Sequence, residues 1–334
     1  MTLPGPVTVE YLRAWGRHTH RSPLYAHLVE LTASTPELLS VIQRIHNRPP
    51  PNVYLAAIHY LLMENPSDPL AAFYGSIVED PRPPEGVDEA FISFVLANQD
   101  RIVDIANSRF TQTNECRRCV ALLPGVMSSP FERFHLVEIG ASAGLNLALD
   151  HYRYDFDGTM WGPDSPVTLV AAVPGDRPRL RGIEVARRIG IDINVIDRKV
   201  PDDLRWLDAL IWPEHEERRK RLRQALRLTA GVDRQMIEGS VLDMLAGALG
   251  GLPTGEPVVV MNSFVLNQLD ASQRAEVAGI VEEARRDRPV YRVSLEFIDK
   301  DDDWARLEVG DQMTLEELGR AHPHGEWVDL SYDG

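Results

Sequence analysis

A segment near the middle of the chain combines the features of a strand, a tight turn and a helix. It reads HLVEIGASAGLNLALDHY over residues 135–152: an apolar run, one acid, two glycines and a leucine-rich amphipathic stretch. An apolar run that ends in glycine and continues with helical periodicity is typical of a βα unit. The segment therefore predicts an α/β sheet. The turn itself is open to four interpretations: it holds a dinucleotide, a phosphate, a methyl donor or nothing.

The pattern along the chain changes near residue 128. Residues 1–128 have helical periodicity and several Ser/Thr-Pro helix starts. We expect a helical N-terminal domain there, which could serve as a cap, a homodimer interface or simple packing. One of its helices, from residue 111, is predicted to stop at Pro124–Gly125. Residues 129–334 alternate between strands and helices, as in a Rossmann-like sheet.

Within the second region, residues 152–180 combine β-type residues with turn signals and predict a β-hairpin insertion. Residues 144–152 predict a helix after the first strand. The segments WARLEV (304–309) and GEWVDL (325–330) are predicted to close the sheet as a hairpin.

Charge and composition exclude several classes of function. The chain has 334 residues, 35 Lys and Arg against 50 Asp and Glu, and a net charge of −15, which argues against nucleic-acid binding. We expect a small-molecule partner. No signal peptide or apolar run of membrane-spanning length is apparent, so a cytoplasmic protein without membrane contact is expected. Cys116 and Cys119 are the only cysteines. They are half of a zinc pattern at most, so no metal is expected.

Two common phosphate-binding patterns do not fit the glycine turn. The dinucleotide fingerprint G-x-G-x-x-G meets Gly140, Ser142 and Leu145 at its glycine positions, which is one match of three. A P-loop ends in G-K-[ST], and that ending is absent from the turn.

The turn resembles the first motif of class I S-adenosylmethionine-dependent methyltransferases. That motif has an acid, a hydrophobic residue and a glycine at the end of strand one, followed by small residues and another glycine. Here it runs from Glu138 through Gly140 and Ser142 to Gly144, with Ser142 in place of the usual middle glycine. Small residues let the backbone approach the amino-acid end of the cofactor closely. Amides at the turn can meet its carboxylate.

Three later segments resemble the continuation of the same fold. GIDIN places Asp192 at the end of a second strand, where the resemblance implies an acid that binds the ribose hydroxyls. This acid usually lies about 20 residues after the turn. The 152–180 insertion would explain the longer spacing, and Asp155 or Asp157 is the alternative. IEGSVLDML implies that Asp243 lies near the adenine amino group, unless it is merely a helix N-cap acid. VVVMNSFVLNQL places Asn262 and Ser263 near the transferring methyl group.

The whole chain resembles the bacterial family called domain of unknown function 2332. The segments that carry this resemblance are SPLYAHL, PNVYLAAIHYLL, TQTNE, VEIGASAGLNL, GIDIN, WLDALIWPEHEER and AHPHGEW. The resemblance implies a methyltransferase-like domain with a helical N-terminal extension and settles no reaction. The residues implied to contact S-adenosylmethionine are Glu138, Gly140, Ala141, Ser142, Gly144, Asn146, Asp192, Asp243 and Asn262.

Several polar or aromatic residues outside these motifs could contact substrate. Asn114 and Glu115 could face the cofactor cleft, although their segment TQTNE also fits a helix start. Trp212 could form the wall of a substrate pocket, and Ser263 could also contact substrate. A methyl acceptor with a hydroxyl or an acidic N–H needs a general base, and the candidates are His215, His324 and Glu214. His18 and His20 are expected to be structural.

Three hypotheses follow for function. The leading one is S-adenosylmethionine-dependent O- or N-methylation of a small molecule. The second is a non-catalytic ligand- or partner-binding protein with a degenerate methyltransferase fold. The third is a hydrolase, because GASAG also fits G-x-S-x-G with Ser142 as nucleophile, His324 as base and Asp243 or Asp270 between them.

Overall fold

The chain forms two compact units. The computed structural model describes residues 7–17, 21–298 and 303–331, so His18 and His20 lie outside the described residues. One unit, called here the sheet unit, contains residues 114–196 and 222–334. The other, called the helical unit, contains residues 2–113 and 197–221. By this division the sheet unit begins after residue 113, whereas the sequence pattern predicts a boundary after residue 128. A later segment, residues 197–221, belongs to the same unit as the N-terminal helices.

The described residues contain ten α-helices and several short 3-10 helices. The α-helices are α1 Val9–Arg17, α2 Pro23–Ser34, α3 Pro36–Ile42, α4 Pro50–Glu64, α5 Asp88–Ser108, α6 Cys119–Met127, α7 Pro201–Ala209, α8 Glu216–Leu228, α9 Val241–Gly250 and α10 Ala271–Ala284. The 3-10 helices are Pro69–Phe73, Pro84–Gly86, Cys116–Arg118, Asn146–His151, Thr229–Gly231 and Leu266–Gln268.

The helical unit is built around α4. The helices α2, α3 and α4 each begin with proline, whose fixed φ suits the first helical turn. The Ser22 hydroxyl caps α2 by accepting a hydrogen bond from the backbone N–H of Tyr25. Nearly every residue of α4 is buried, and α4 packs against α5 and α7. Burial of α4 on all sides makes it the core of this unit.

The described strands form two sheets. They are β1 Arg133–Ile139, β2 Arg153–Phe156, β3 Thr159–Trp161, β4 Thr168–Ala171, β5 Glu184–Asp192, β6 Gln235–Glu238, β7 Val258–Ser263, β8 Val290–Glu296, β9 Ala305–Gly310, β10 Glu316–Ala321 and β11 Val328–Leu330.

The larger sheet has the order β11-β10-β9-β8-β7-β1-β5-β6. The five strands from β8 to β6 in this order pair in parallel, whereas β9, β10 and β11 form an antiparallel meander on β8. The strands β1 and β7 are neighbours at the centre and are almost completely buried. Helices cover both faces of such strands, which explains their nearly continuous apolar sequences.

One face of the sheet is covered by α9 and α10 and the other by α6. The first face buries Val137 and Ile139 with apolar residues of both helices. On the other face, α6 packs on β8 and β9. The predicted end of this helix at Pro124–Gly125 is wrong, because α6 continues to Met127. All nine of its residues are buried, and this packing outweighs the cost of a proline in the helix.

The predicted β-hairpin insertion is present as β2 and β3. Its turn, Asp157–Gly158, has positive φ at both residues, as tight hairpin turns require. A third strand, β4, pairs in parallel with β2 and completes a separate three-stranded sheet. The sequence did not predict this third strand.

Two predicted elements differ in the structure. Residues 146–151 form an irregular 3-10 helix instead of the amphipathic α-helix. The hydroxyls of Tyr152 and Tyr154 donate to the carbonyls of Leu145 and Leu149 at 2.8 and 2.6 Å, so side chains bond carbonyls that an α-helix would use. The predicted terminal hairpin is also wrong, since β10 lies between β9 and β11.

Among the described residues, no helix has both the length and the apolar character that a membrane span requires.

Candidate ligand site at the carboxyl edge of the sheet

The order of the parallel strands creates a point where the chain reverses its direction across the sheet. From β1 the chain proceeds to β5 and β6 on one side and then returns to β7 on the other side of β1. Ile139 at the end of β1 pairs with Asn262 on β7 and with Ile191 on β5. In open α/β sheets, ligands bind outside the carboxyl ends of the strands at such a point. The glycine turn begins at this position.

The turn at residues 140–144 is strained and tightly held. Gly140, Ser142 and Gly144 have φ values of 76°, 49° and 68°. The N–H groups of Gly140 and Ala141 donate to the carbonyl of Ile191 at 2.8 and 3.1 Å. Positive φ is costly for a residue with a Cβ, so Ser142 is a strained residue at a candidate site.

Gly140 is required by packing as well as by conformation. A Cβ added at this position would lie 2.8 Å from the Cβ of Val265. The first glycine of the motif therefore has a structural explanation that does not depend on a ligand.

Asp192, the predicted ribose acid, supports the turn. Its carboxylate accepts the N–H of Ser142 at 2.7 Å and that of Asn194 at 2.9 Å. The side chain is 8% exposed. Each carboxylate oxygen can accept more than one hydrogen bond, so the ribose role stays a prediction beside the observed structural one. The alternatives, Asp155 and Asp157, accept backbone N–H groups of Gly158 and Val173 around the hairpin of the small sheet.

Asn114 also supports the turn. Its Oδ1 accepts the N–H of Ala143 at 3.1 Å, and its Nδ2 donates to the Ser142 hydroxyl at 2.9 Å. The hydrolase hypothesis requires an imidazole base on Ser142. The side-chain hydrogen bond of this hydroxyl within the described residues is to the Asn114 amide.

Glu138 is a buried ionisable group of the sheet unit with a strongly shifted pKa. It is 1% exposed, and its Oε1 accepts from Nδ2 of Asn146 at 2.8 Å. The Cys119 thiol donates to Oδ1 of the same amide at 3.4 Å, which fixes the orientation of the amide. The other oxygen, Oε2, is buried and has no hydrogen-bond partner among the described residues. Burial raises the pKa of Glu138 to about 8, and the charge of Asp192 contributes to the rise.

Asn262, at the end of β7, is part of a polar network with β8. Its Nδ2 donates to Ser294 at 2.9 Å and to Glu296 at 2.8 Å. The Glu296 carboxylate also accepts the N–H groups of Val265 and Leu266 at 2.9 and 3.0 Å. Burial raises the pKa of Glu296, while these hydrogen bonds oppose the rise. Glu296 was not predicted from the sequence, where its one signal is an acid at the end of an apolar strand.

Phe264 and Arg118, which the sequence did not predict as site residues, form a further part of the edge. Phe264 follows the buried Ser263 and has a φ of 55°, an outlier for an aromatic residue. The guanidinium of Arg118 lies 4.3 Å from the centre of its ring, within the range of a cation–π interaction. Arg118 Nε also donates to the carbonyl of Pro323 at 3.1 Å.

His324 lies in the loop that this last bond holds. Its backbone N–H donates to Nδ1 of His322 at 3.1 Å, and the two imidazole rings are 5.8 Å apart. His324 belongs to the sheet unit, which also contains the glycine turn and Arg118.

The remaining predicted residues of the sheet unit occupy helix starts. Glu115 is buried and caps the 3-10 helix Cys116–Arg118 by accepting the N–H of Arg117 at 3.1 Å. Asp243 is exposed in the first turn of α9, whose N-cap is Ser240. Asp270 caps α10.

Trp212, Glu214 and His215 lie in the helical unit, so they are not in the unit that contains the glycine turn. The Glu214 carboxylate accepts from the Ser22 hydroxyl at 2.8 Å and from the backbone N–H of Leu24 at 3.1 Å. The ring of Trp212 is 5.5 Å from that of His215. Burial lowers the pKa of His215.

The described residues contain no group of three or more His, Cys, Asp or Glu side chains that could hold a metal ion.

A family model described as an uncharacterized protein conserved in bacteria (DUF2332) matches residues 10–330. The chain belongs to this family. The match covers most of both units and includes all residues of the candidate ligand site described above. Among curated proteins, no match was found.

Proposed function

We propose that this family member binds S-adenosylmethionine at the carboxyl edge of the sheet unit and methylates a small molecule at oxygen or nitrogen. The order β6-β5-β1-β7-β8 of parallel strands, with the reversal beside β1, supports a Rossmann-like methyltransferase arrangement. The antiparallel meander β9 to β11 extends this sheet beyond β8.

The observation that carries the proposal is the buried Oε2 atom of Glu138, which has no hydrogen-bond partner among the described residues. An unpartnered buried carboxyl oxygen is costly, and a cationic ligand would remove much of this cost. The methionine part of the cofactor carries an ammonium group, which is a suitable donor. The proton that the raised pKa keeps on Glu138 would be released when the ammonium approaches.

The surrounding residues fit the rest of the cofactor. The turn at residues 140–144 brings small residues and backbone to the edge. The carboxylate of Asp192, whose oxygens can each accept more than one hydrogen bond, would accept the ribose hydroxyls. Ile193, the next residue, is 66% exposed and offers apolar surface to a base. The bound group would supply a methyl on a positively charged sulfur.

The protein's own contribution would then be orientation and exclusion of water. Holding two reactants in line can supply about 7–11 kcal/mol of the barrier. Phe264, with Arg118 against its ring, provides an apolar wall beside the end of β7. His324 is the candidate general base within the sheet unit. The other two candidate bases, His215 and Glu214, lie in the helical unit, and their role stays a prediction.

The test is calorimetric titration of the protein with S-adenosylmethionine and S-adenosylhomocysteine. We expect binding that is strongest near pH 8 and weakens about tenfold per unit below it, because an ionised Glu138 must accept the ammonium. Glu138→Gln keeps the side-chain shape and should abolish this pH dependence. The exposed Glu132→Gln variant is the matched control and should bind as wild type. Absence of binding to the wild-type protein would refute the proposal.

Binding alone also fits a non-catalytic member of the fold. Incubation of the protein with labelled S-adenosylmethionine and a bacterial small-molecule extract distinguishes the two. Transfer of label to a small molecule supports catalysis, whereas tight binding without transfer over a broad range of acceptors favours the binding protein.

A further inference from the structure

Two hydrogen bonds join a buried thiol to the candidate ligand site of the sheet unit. The Cys119 thiol donates to Oδ1 of Asn146 at 3.4 Å, and Nδ2 of the same amide donates to Oε1 of Glu138 at 2.8 Å. Cys119 is 0% exposed and Glu138 is 1% exposed. The three side chains come from the first residue of α6, from a 3-10 helix and from β1. Tertiary structure therefore connects a cysteine, for which the sequence indicated only half of a zinc pattern, to the carboxyl at the end of β1.

The amide of Asn146 has two possible orientations, and they have opposite effects on Glu138. With Nδ2 toward the carboxyl, as in the structure, the amide donates a hydrogen bond, which favours the ionised form of Glu138. With Oδ1 toward the carboxyl, the amide can only accept, which favours the protonated form. The orientation of this one side chain therefore influences how readily Glu138 ionises.

The thiol of Cys119 favours the first orientation. Burial raises the pKa of Cys119 well above its usual range, so the thiol keeps its hydrogen and can donate to Oδ1. The hydroxyl of Tyr154 also acts on the thiol, but its own hydrogen bonds the carbonyl of Leu149 at 2.6 Å. A reversed amide would direct an N–H group at sulfur, which is a weak acceptor, and would withdraw Oδ1 from the thiol hydrogen.

We propose that Cys119 is a positioning residue of the cofactor site, which fixes the Asn146 amide so that Glu138 can accept the ammonium group of the ligand. The role of this ammonium group rests on the proposed function, whereas the hydrogen bonds do not. Two charged groups also act on Glu138. Asp192 on β5 opposes its ionisation, and Arg118 on the 3-10 helix before α6 favours it. Replacement of Cys119 leaves both charges present.

The first test is urea unfolding as a function of pH, and it needs no ligand. Cys119→Ala is compared with the double variant Cys119→Ala and Glu138→Gln, and wild type with Glu138→Gln, so that the difference within each pair isolates Glu138. In wild type the loss of stability due to Glu138 ends near pH 8, where the folded carboxyl ionises. In Cys119→Ala the amide can reverse. The loss should then continue for about one further pH unit, because the net free energy of a hydrogen bond is equivalent to about one unit.

Three control variants separate positioning from a general loss of packing. Cys119→Ser keeps a hydrogen-bond donor at the same position and should retain the pH dependence of wild type. Cys116→Ala removes the other buried thiol of the chain and should also retain it. In an Asn146→Ala background, Cys119→Ala should cause no further shift, because the thiol acts through the amide. A further shift in that background would contradict the inference.

The second test is calorimetric titration with S-adenosylhomocysteine, which carries the same ammonium group. Relative to wild type, Cys119→Ala should bind about tenfold more weakly at pH 7 and within about twofold at pH 9, since the ionised fraction of Glu138 differs mainly at the lower pH. Comparison of the two proteins at each pH cancels the ionisation of the ligand itself. An equal loss of affinity at both pH values would overturn the inference, because it would mean that Cys119 does not act through ionisation.

The two tests can fail independently. If the pH dependence of unfolding shifts in Cys119→Ala but wild type binds no S-adenosylhomocysteine, the proposed function is refuted and the control of Glu138 by Cys119 is supported. If wild type binds the ligand but the pH dependence of unfolding is the same in Cys119→Ala as in wild type, the positioning role is refuted and the proposed function stands.

Discussion

Replacement of Glu138 by glutamine should remove a loss of stability that the wild-type protein suffers as pH rises. Burial raises the pKa of this carboxyl from 4.5 to about 8. Between these values the folded protein keeps a proton that the unfolded chain releases, so stability falls with increasing pH. At about 1.4 kcal/mol per unit, the loss reaches about 3 kcal/mol at neutral pH. Glutamine can still accept the Asn146 amide through Oε1 and carries no titratable group.

The measurement is urea unfolding of wild type and Glu138→Gln, followed by circular dichroism from about pH 5 to pH 8. The glutamine amide brings its own unsatisfied donor, but this cost does not depend on pH. The difference in unfolding free energy between the two proteins should therefore change by about 3 kcal/mol in favour of the variant across this range. The exposed Glu132→Gln control should stay within about 0.5 kcal/mol of wild type throughout.

A constant difference between variant and wild type would refute the reasoning. It would mean that Glu138 titrates in the fold as it does in the unfolded chain. The buried oxygen would then offer no special attraction to a cation, and the proposal of an ammonium-bearing cofactor would lose its main support.

Three other predictions concern stability. Gly140→Ala should lower the unfolding free energy measured in urea by about 1–3 kcal/mol, because φ is 76° and the new Cβ meets Val265. Gly182→Ala, which has open space around it, is the control and should lower it less. Equal losses in the two variants would contradict the packing argument. His59 is fully buried and its pKa is lowered to about 3. Below pH 6.5 the unfolded chain therefore binds a proton that the folded protein does not, and this group should lower the unfolding free energy of wild type by about 1.4 kcal/mol per pH unit. His59→Gln should lose less stability on acidification, as thermal melts at several pH values would show. Asn114→Ala removes two hydrogen bonds to the glycine turn and should lower the unfolding free energy by about 1–2 kcal/mol. An unchanged value would show that these two hydrogen bonds do not stabilise the turn.

Local sequence was sufficient to predict the parts of the edge that a single strand and turn define. The apolar run before Gly140, the acid Glu138 within it and the small residues after it lie in one short segment. Their positions follow from strand alternation and from the conformations open to glycine. The acid at the end of β5, Asp192, was predicted from the resemblance of GIDIN to the second strand of the methyltransferase fold.

The partners of these residues could not be predicted, because tertiary structure brings them together. Glu296 meets Asn262 only because β8 pairs in parallel with β7. Arg118 reaches Phe264 from a 3-10 helix that is distant in sequence. Nothing in the local pattern distinguishes these residues from exposed charges or ordinary core aromatics.

The mispredicted elements have a related cause. The strand β10, EELGRA, has little of the alternation that indicates a strand, so pairing with β9 and β11 determines its conformation. Residues 146–151 have helical periodicity, yet the hydroxyls of Tyr152 and Tyr154 bond the carbonyls of this segment. Side chains outside an element can override its propensity when they bond its backbone.

The helical unit is discontinuous in sequence, since residues 197–221 belong to it together with residues 2–113. During synthesis the ribosome must therefore complete β1, β5 and the small three-stranded sheet before it delivers the segment that contains Asp208, Trp212 and Arg219. The N-terminal helices are made first but cannot reach their final packing until then. A fragment that ends at residue 113 would lack the contacts between α4 and α7, so its core would be incomplete.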